Sequence, residues 1–309
     1  MNAHEPLLTV IIPFLDRREL FKATLESLHR QQDTSRPVNI IFVDNGSQPA
    51  TLEMLSEWIE NDCPRFLLPS LLSQPEPGAA AARNKGLEAA TTPWVMFFDS
   101  DDVMAPSHLR EVEQAAESQP DKDLLYWGVT LTEPDGHTIT KRPRRQSLET
   151  NVIIHGVWST QRFAVKTDFL KRAGEWNSRV RAWDDWELSV RLLLHKPRSL
   201  YMPDMNNVFI ALHSQSITGD NFSRSEGLWE QALHTALLEA TNAAHTRVVK
   251  LILAKMSLLA AEYRREGNIT AARFVLSIAL AHNLSQPLLL RTLYHINRLF
   301  HRGASTLLS

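Results

Sequence analysis

Five apolar or aromatic residues, Trp94-Val95-Met96-Phe97-Phe98, run directly into Asp99-Ser100-Asp101-Asp102. So short and so apolar a run suits a strand buried on both faces of a sheet. The acids that follow it must emerge together at the strand end, where three carboxylates repel one another unless a cation joins them. Alone, the pattern fits two arrangements: a solvated turn with an acidic helix start ahead of Pro106, or a site for a hard divalent ion.

Upstream, the chain repeats the strand-then-helix alternation. Leu7-Leu8-Thr9-Val10-Ile11-Ile12-Pro13 reads as a buried strand that stops at a proline, and Leu20, Phe21, Leu25 and Leu28 then recur at helical spacing between Arg17 and Arg30. Val38 to Val43 forms a second strand, Asp44-Asn45-Gly46-Ser47 a turn, and Leu52, Leu55, Trp58 and Ile59 share one face of the next helix. A third helix, Ala79 to Ala90, leads into the strand at 94–98. This order predicts an α/β fold with a mostly parallel sheet covered on both faces, whose ligands gather at the carboxyl ends of the strands.

Beyond the acids, Leu109 and Val112 mark another helix, and Asp123 to Thr132 reads as a strand entering the turn Pro134-Asp135-Gly136. From Ser225 to about His301 the apolar spacing is helical throughout, which predicts an all-helical C-terminal subdomain over 223–309 after an α/β domain over 1–222. Gly267-Asn268 with Ala271-Ala272-Arg273 hints at a helix-turn-helix pair, too little to assert repeats.

Composition narrows the class. Hydrophobic residues at 43% and charged residues at 22% exclude disordered and fibrous chains, and a formal charge of -2 provides no field to gather nucleic acid. The one cysteine, Cys63, permits neither an internal disulfide nor a zinc knuckle. Met1 to Pro6 lacks a basic start with a long apolar core, and no apolar stretch of about 18 residues occurs, so the expected compartment is the cytoplasm. Arg291, Arg298 and Arg302 beside the C-terminal apolar face fit either a plain packed helix or a peripheral contact with the inner face of the membrane. Lys141-Arg142-Pro143-Arg144-Arg145 fits a solvated loop or a contact with acceptor phosphate or lipid headgroups.

Four further segments offer chemistry. Asp44 shares the strand-end row with the acids and fits an Asx turn or a ligand contact. Arg83, on the helix after Gly78, places a cation where it meets phosphate or pairs with a neighbouring Asp. Trp183-Asp184-Asp185-Trp186-Glu187-Leu188 starts a helix with acids in its first turn, which suits dipole matching; two indoles beside a carboxylate also suit a sugar platform and a general base. His213 ends another apolar stretch and fits a structural histidine or a nitrogen ligand.

Taken in order, these segments resemble the family-2 glycosyltransferases with the GT-A fold. Val10-Ile11-Ile12-Pro13-Phe14-Leu15-Asp16-Arg17 is similar to that family's first strand and loop, and Phe42-Val43-Asp44-Asn45-Gly46-Ser47 to its nucleoside-binding turn. Ala82-Arg83-Asn84-Lys85-Gly86-Leu87 and Phe98-Asp99-Ser100-Asp101-Asp102 follow at the family's intervals, then Trp183 to Leu188 as its acceptor motif and His213 with Ser216-Ile217 as a later His-x-x-Ser element. The resemblance spans about residues 7 to 218.

It implies a donor half at 1–104 and an acceptor half at 105–222, with Pro13, Phe14, Asp16, Asp44, Asn45, Arg83, Asp99 and Ser100 at the nucleotide. Asp101, Asp99 and His213 would hold manganese or magnesium, Asp185 or Asp184 would be the base, and Trp183 and Trp186 would meet the acceptor. The implied reaction is inverting transfer from a nucleotide-diphospho-sugar, UDP-linked by expectation, to a hydroxyl of a saccharide or lipid-linked acceptor. Leu15-Asp16 stands where the family usually has Tyr-Asn, Asn45 where a second Asp is frequent, and Asp184 where Glu is usual. Nucleotide preference and the choice of base within the pair therefore stay open. A sugar-phosphate nucleotidyltransferase would need a glycine-rich loop after the first strand, and Pro13 to Arg17 contains no glycine. A non-catalytic scaffold remains the rival of a different class.

Overall fold

A computed structural model describes residues 5–133, 135–211 and 221–300. The first half alternates as the apolar spacing predicts: β1 (Leu8–Phe14), α1 (Arg18–His29), β2 (Val38–Asp44), α2 (Pro49–Asn61), β3 (Leu67–Ser73), α3 (Ala79–Ala89) and β4 (Trp94–Phe97). There follow β5 (Asp102–Met104), α4 (His108–Ser118), β6 (Leu124–Trp127), β7 (Val129–Thr132), β8 (Thr138–Lys141), α5 (Leu148–His155), β9 (Phe163–Lys166), α6 (Thr167–Ala173), α7 (Asp184–Leu194), β10 (Ser199–Met202) and β11 (Val208–Ala211). The chain then turns helical, with α8 (Leu228–Asn242), α9 (Thr246–Arg265), α10 (Ile269–Ala281) and α11 (Pro287–Phe300).

Seven strands form one sheet in the order β10-β6-β9-β4-β1-β2-β3. Neighbours pair in parallel except β9, which runs antiparallel to both β4 and β6. β1, β2 and β4 are nearly continuous apolar runs and are buried almost throughout, as strands covered on both faces must be. The edge strand β3 carries Pro69 with Leu68 and Leu71 exposed, a composition tolerated only where one side of the ladder is unpaired. A second sheet, β5-β11-β7-β8, is mixed: β11 is antiparallel to β5 and parallel to β7.

The strand expected over 123–132 is two strands in two sheets. Gly128 separates β6 from β7; a Cβ there would collide with the Asn206 side-chain oxygen, and its N–H reaches the Met205 carbonyl at 3.1 Å. The chain can pass from one sheet to the other only where a backbone without a side chain fits against its neighbour.

The core beside the first strands is aromatic. Phe14 stacks on Phe21 at 4.8 Å, Phe21 meets Phe42 edge-on at 6.1 Å, and Phe42 meets Trp58 at 6.0 Å, which ties β1, α1, β2 and α2 together. Rings buried this completely contribute roughly 1.5–3 kcal/mol each relative to exposure, beyond what their mutual geometry adds.

By contacts the chain forms two compact units. One is Met1–Arg142, Val157–Ser178 and Pro197–His213, which holds both sheets; the other is Pro143–Gly156, Arg179–Lys196 and Ser214–Ser309. This division differs from a seam near 222: α5 and α7 belong with the C-terminal helices, because their buried faces are apolar on sides that those helices cover. In that unit Ser147 caps α5 by accepting from Thr150 N–H at 3.2 Å, and Asn268 caps α10 by accepting from Ala271 N–H at 3.1 Å.

Candidate functional site

At the carboxyl ends of β1 and β2 the loops are tied to one another by side chains. Asp16 and Arg17 both take left-handed backbone, φ 45° and 52°. The Asp16 carboxylate accepts from Gln48 N–H at 2.8 Å and from the Thr51 hydroxyl at 3.0 Å, which anchors the start of α2. Asp44 accepts from Ser47 N–H at 2.8 Å, closing the Asx turn that its sequence allows. Asn45 donates to the Gln74 and Glu76 carbonyls and accepts from Gly78 N–H, each at 2.8 Å, so its amide pins the loop ahead of α3. Pro13 and Phe14 are buried; the Phe14 ring lies in the core and its carbonyl accepts from Asn45 N–H at 3.0 Å.

The acidic motif sits where β4 of the large sheet gives way to β5 of the small one. Asp102 N–H turns back to the Asp99 carbonyl at 3.3 Å, and Asp102 then pairs with Ile210 of β11. This reversal brings one carboxylate oxygen from each of Asp99, Asp101 and Asp102 within 4.8 Å of the others, with Ser100 half-buried between them. Hard oxygen donors at such spacing suit magnesium or manganese, so the donor set fits the ion that the motif implies.

The cluster has cationic and amide neighbours. Arg83, 5% exposed, reaches Asp99 at 2.7 Å and lays its guanidinium 4.3 Å from the centre of the Trp176 ring. Arg17 reaches Asp101 at 2.8 Å, but both side chains are partly exposed, 39% and 21%, and such a pair is worth only about 0–1 kcal/mol, little obstacle to a divalent ion. Gln161 donates its side-chain amide to Asp99 at 2.6 Å and also to Asp102, while its main-chain carbonyl accepts from the Trp127 indole at 2.9 Å. Burial, and after it the charges of Asp99 and Asp101, hold the Asp102 carboxyl well above the usual carboxylate range; the Ala211 N–H and Gln161 oppose this in part.

α7 carries the second group of acids, in the other unit. Its cap residue Trp183 is left-handed at φ 56°, ψ 31°, which costs a bulky residue roughly 1–2 kcal/mol. Asp184, Asp185 and Glu187 occupy the first turn, where the helix dipole favours negative charge. Asp184 and Asp185 are half-buried, and an Asp185 oxygen accepts from Trp186 N–H at 2.7 Å. Glu187, fully buried, forms a two-pronged pair with Arg191 at 2.8 and 2.9 Å. Trp186 is 5% exposed and donates to the Ile153 carbonyl at 2.8 Å, so it packs the unit's interior. Trp183 is half-buried, with Trp229 at 5.1 Å and Phe222 at 6.0 Å. His213 lies outside the described residues.

Sequence reasoning assigned no role to three residues that the structure puts at these acids: Arg17, Gln161 and Lys255. Gln161 lies in a three-residue 3-10 turn without any local signal. Lys255 interrupts the buried stripe of Leu251, Ile252 and Leu259 on α9, and that interruption was the one sign of it. Its Nζ lies 4.8 Å from the centre of the Trp183 ring. Burial pulls its amine down to about 8, with the Asp185 charge acting in the opposite direction.

The family model described as Glycosyl transferase family 2 matches residues 9–169, just over half of the chain. An uncharacterized glycosyltransferase of Haemophilus influenzae is 25% identical over 191 residues; the match takes in 60% of this chain and 62% of that protein, so the chain spans less than two thirds of its relative. Of the solved structures, Staphylococcus aureus TarS 1-349 in complex with UDP-GlcNAc matches at TM-score 0.70 with 17% identity, over 94% of this chain and 87% of that one. The mannosyltransferase PcManGT of Pyrobaculum calidifontis in complex with GDP-Man and Mn2+ matches at 0.53 with 20% identity, over 97% and 89%. At these identities the likeness is one of fold, and the fold is the mixed α/β GT-A arrangement with a helical C-terminal region.

Proposed function

Because the chain belongs to glycosyl transferase family 2, we propose that it transfers a sugar from a nucleotide-diphospho-sugar to an acceptor hydroxyl, with inversion at the anomeric carbon. The observation that carries this reading is the trio Asp99, Asp101 and Asp102, one oxygen of each within 4.8 Å, braced by Arg83 and Gln161. Asp101 and Asp99 would hold manganese or magnesium. When bound, that ion would neutralise charge growing on the departing diphosphate.

Arg83, clamped between Asp99 and Trp176, offers a fixed cation beside the nucleotide. Asp16, Asp44 and Asn45 shape the nucleoside loops through the hydrogen bonds they make there. Asp185 accepts the proton of the attacking hydroxyl; it is half-buried in the first turn of α7. Of the two indoles, Trp183 is the more accessible and is the better platform for a sugar ring, while Trp186 secures the helix. A single displacement needs no covalent intermediate.

Both uridine and guanosine carriers appear in complexes of this fold, so UDP is an expectation to be tested against GDP. The acceptor is a saccharide or a lipid-linked saccharide. Among the described residues no helix is long and apolar enough to cross a membrane. The test is release of nucleoside diphosphate from a panel of UDP- and GDP-sugars, with and without Mn2+. Metal-dependent release that Asp185→Asn abolishes while nucleotide affinity stays within a fewfold supports the reading. Binding without release supports a scaffold instead.

A further inference from the structure

Trp183 keeps a left-handed backbone directly ahead of Asp184 and Asp185. A bulky residue stays there only where its surroundings over-determine it, and such positions cluster at functional sites. Three aromatic rings surround the indole: Trp186 at 5.9 Å, Phe222 at 6.0 Å and Trp229 at 5.1 Å. The fourth neighbour is a charge. Lys255, mid-way along α9, sets its Nζ 4.8 Å from the Trp183 ring centre and 3.3 Å from the Ile154 carbonyl oxygen. An ammonium on an aromatic face is attracted by the ring quadrupole, the more so out of water.

The carboxylate whose charge acts on this ammonium is Asp185. Asp184 shares the first turn of α7 with it, while three other acids on the surrounding helices have different partners: Glu187 of α7 holds Arg191, Glu149 of α5 lies 3.8 Å from Arg247, and Glu230 of α8 caps Gly227 N–H. On α9 itself Glu262 binds Arg265 and Asn297, and Glu266, just past its end, takes the N–H groups of Phe222 and Ser223.

We propose that Lys255 is a positioning residue for the base: seated on the indole of Trp183, two residues ahead of Asp185, its ammonium holds the first turn of α7 in place and with it the Asp185 carboxylate. The proposal rests on the reading of Asp185 as base. It separates two properties of one side chain, since a methionine would fill the space of the stem without carrying the charge. Because burial brings the amine to about 8, the charge is present at neutral pH and fades above it.

Two arms test this, one of them independent of turnover. In protein labelled with 13C at lysine Cε, the Lys255 resonance is assigned by its loss in Lys255→Met and titrated by NMR. Asp185→Asn should lower its midpoint by at least half a pH unit; an unchanged midpoint overturns the proposal whether or not any sugar is transferred. The second arm uses whichever donor of the panel is turned over and requires Asp185→Asn to be inactive. Lys255→Met should then lower kcat at least tenfold, leave the donor KM within twofold and move the acidic limb of the pH profile upward. Lys255→Arg should recover kcat to within threefold.

Wild-type kcat and acidic limb in Lys255→Met overturn the proposal, and so does a Lys255→Arg as impaired as Lys255→Met, which would mean that packing and not charge matters. Thermal unfolding of each variant shows whether it folds; if Lys255→Met does not, Lys255→Arg decides the second arm, with the same resonance lost in Lys255→Arg supplying the assignment. A panel without turnover removes the functional reading and leaves the NMR arm to decide whether the two charges are coupled.

Discussion

Replacing Gln161 by leucine tests the acid cluster most directly. The substitution keeps roughly the same volume and removes the one amide that serves both Asp99 and Asp102. Asp102 is 2% exposed and cannot recover the lost donor from water, so that bond is worth about 1.5–3 kcal/mol, as for a hydrogen bond to a charged group. The Asp99 side chain is 28% exposed and resolvates, which leaves about 1 kcal/mol there. The metal-free variant should therefore lose about 2.5–4 kcal/mol at pH 8, or between roughly 1 and 2 M in the urea midpoint. The sign with pH follows from Asp102. Its folded carboxyl is held above its unfolded value, so it stays protonated over a window in which the unfolded chain has already ionised; the cost of charging it grows as pH rises through that window. The deficit of Gln161→Leu should thus be smaller at pH 4.5 than at pH 8. Mn2+ at about 100 times its Kd should add about 2.7 kcal/mol to the wild type and at least as much to the variant. A variant within 1 kcal/mol of wild type at pH 8 without metal, or one with the same deficit at both pH values, refutes the account of Gln161 as the brace.

Other positions give sharper local tests. His108 is fully buried, donates its Nδ1–H to Asn207 and has its pKa lowered to about 4 by desolvation; the folded state therefore binds fewer protons than the unfolded one between 6.5 and 4, and stability should fall by about 3 kcal/mol as pH drops through that range, a loss that His108→Leu abolishes in urea titrations. In Gly86→Ala the new Cβ would collide with Ile11 Cγ2 and lie 3.2 Å from Ile11 Cγ1 and 3.3 Å from Val43 Cγ2, so α3 must lift from β1 and β2; a loss of about 1–3 kcal/mol is expected by chemical denaturation. Glu187→Gln keeps one acceptor for Arg191 but removes the buried negative charge that it pairs with, which should cost roughly 1.5–3 kcal/mol and lower the thermal midpoint.

Much of the first half was legible because burial leaves a period in the chain. Leu7 to Pro13, Val38 to Val43 and Trp94 to Phe98 are mostly apolar runs bounded by turn residues, and Leu20 to Leu28 follows helical spacing; each became the expected element. β3 was not seen, since Pro69, Ser70 and exposed leucines belong to an edge and carry no burial pattern. β5 was hidden inside the acidic motif, whose last acid is also the first residue of a strand. The antiparallel β9 and the break at Gly128 depend on which strand lies alongside, which no local pattern records. The metal candidates Asp99 and Asp101 were visible as a strand-end motif, with Asp102 beside them.

What the amino-acid order determined alone was a set of strands ending in acids, a helix beginning with Asp184 and Asp185, and a helical C-terminal stretch, because periodicity and strand-end chemistry are written within a few neighbouring residues. Only the tertiary structure decided that Asp16 and Asn45 spend their side chains on loop geometry, that Gln161 joins two carboxylates, and that Lys255 rests on Trp183. Those pairs are separated by 29 to 72 residues, and whether two side chains so far apart along the chain meet depends on how whole elements pack, to which each residue contributes too little to be read by itself.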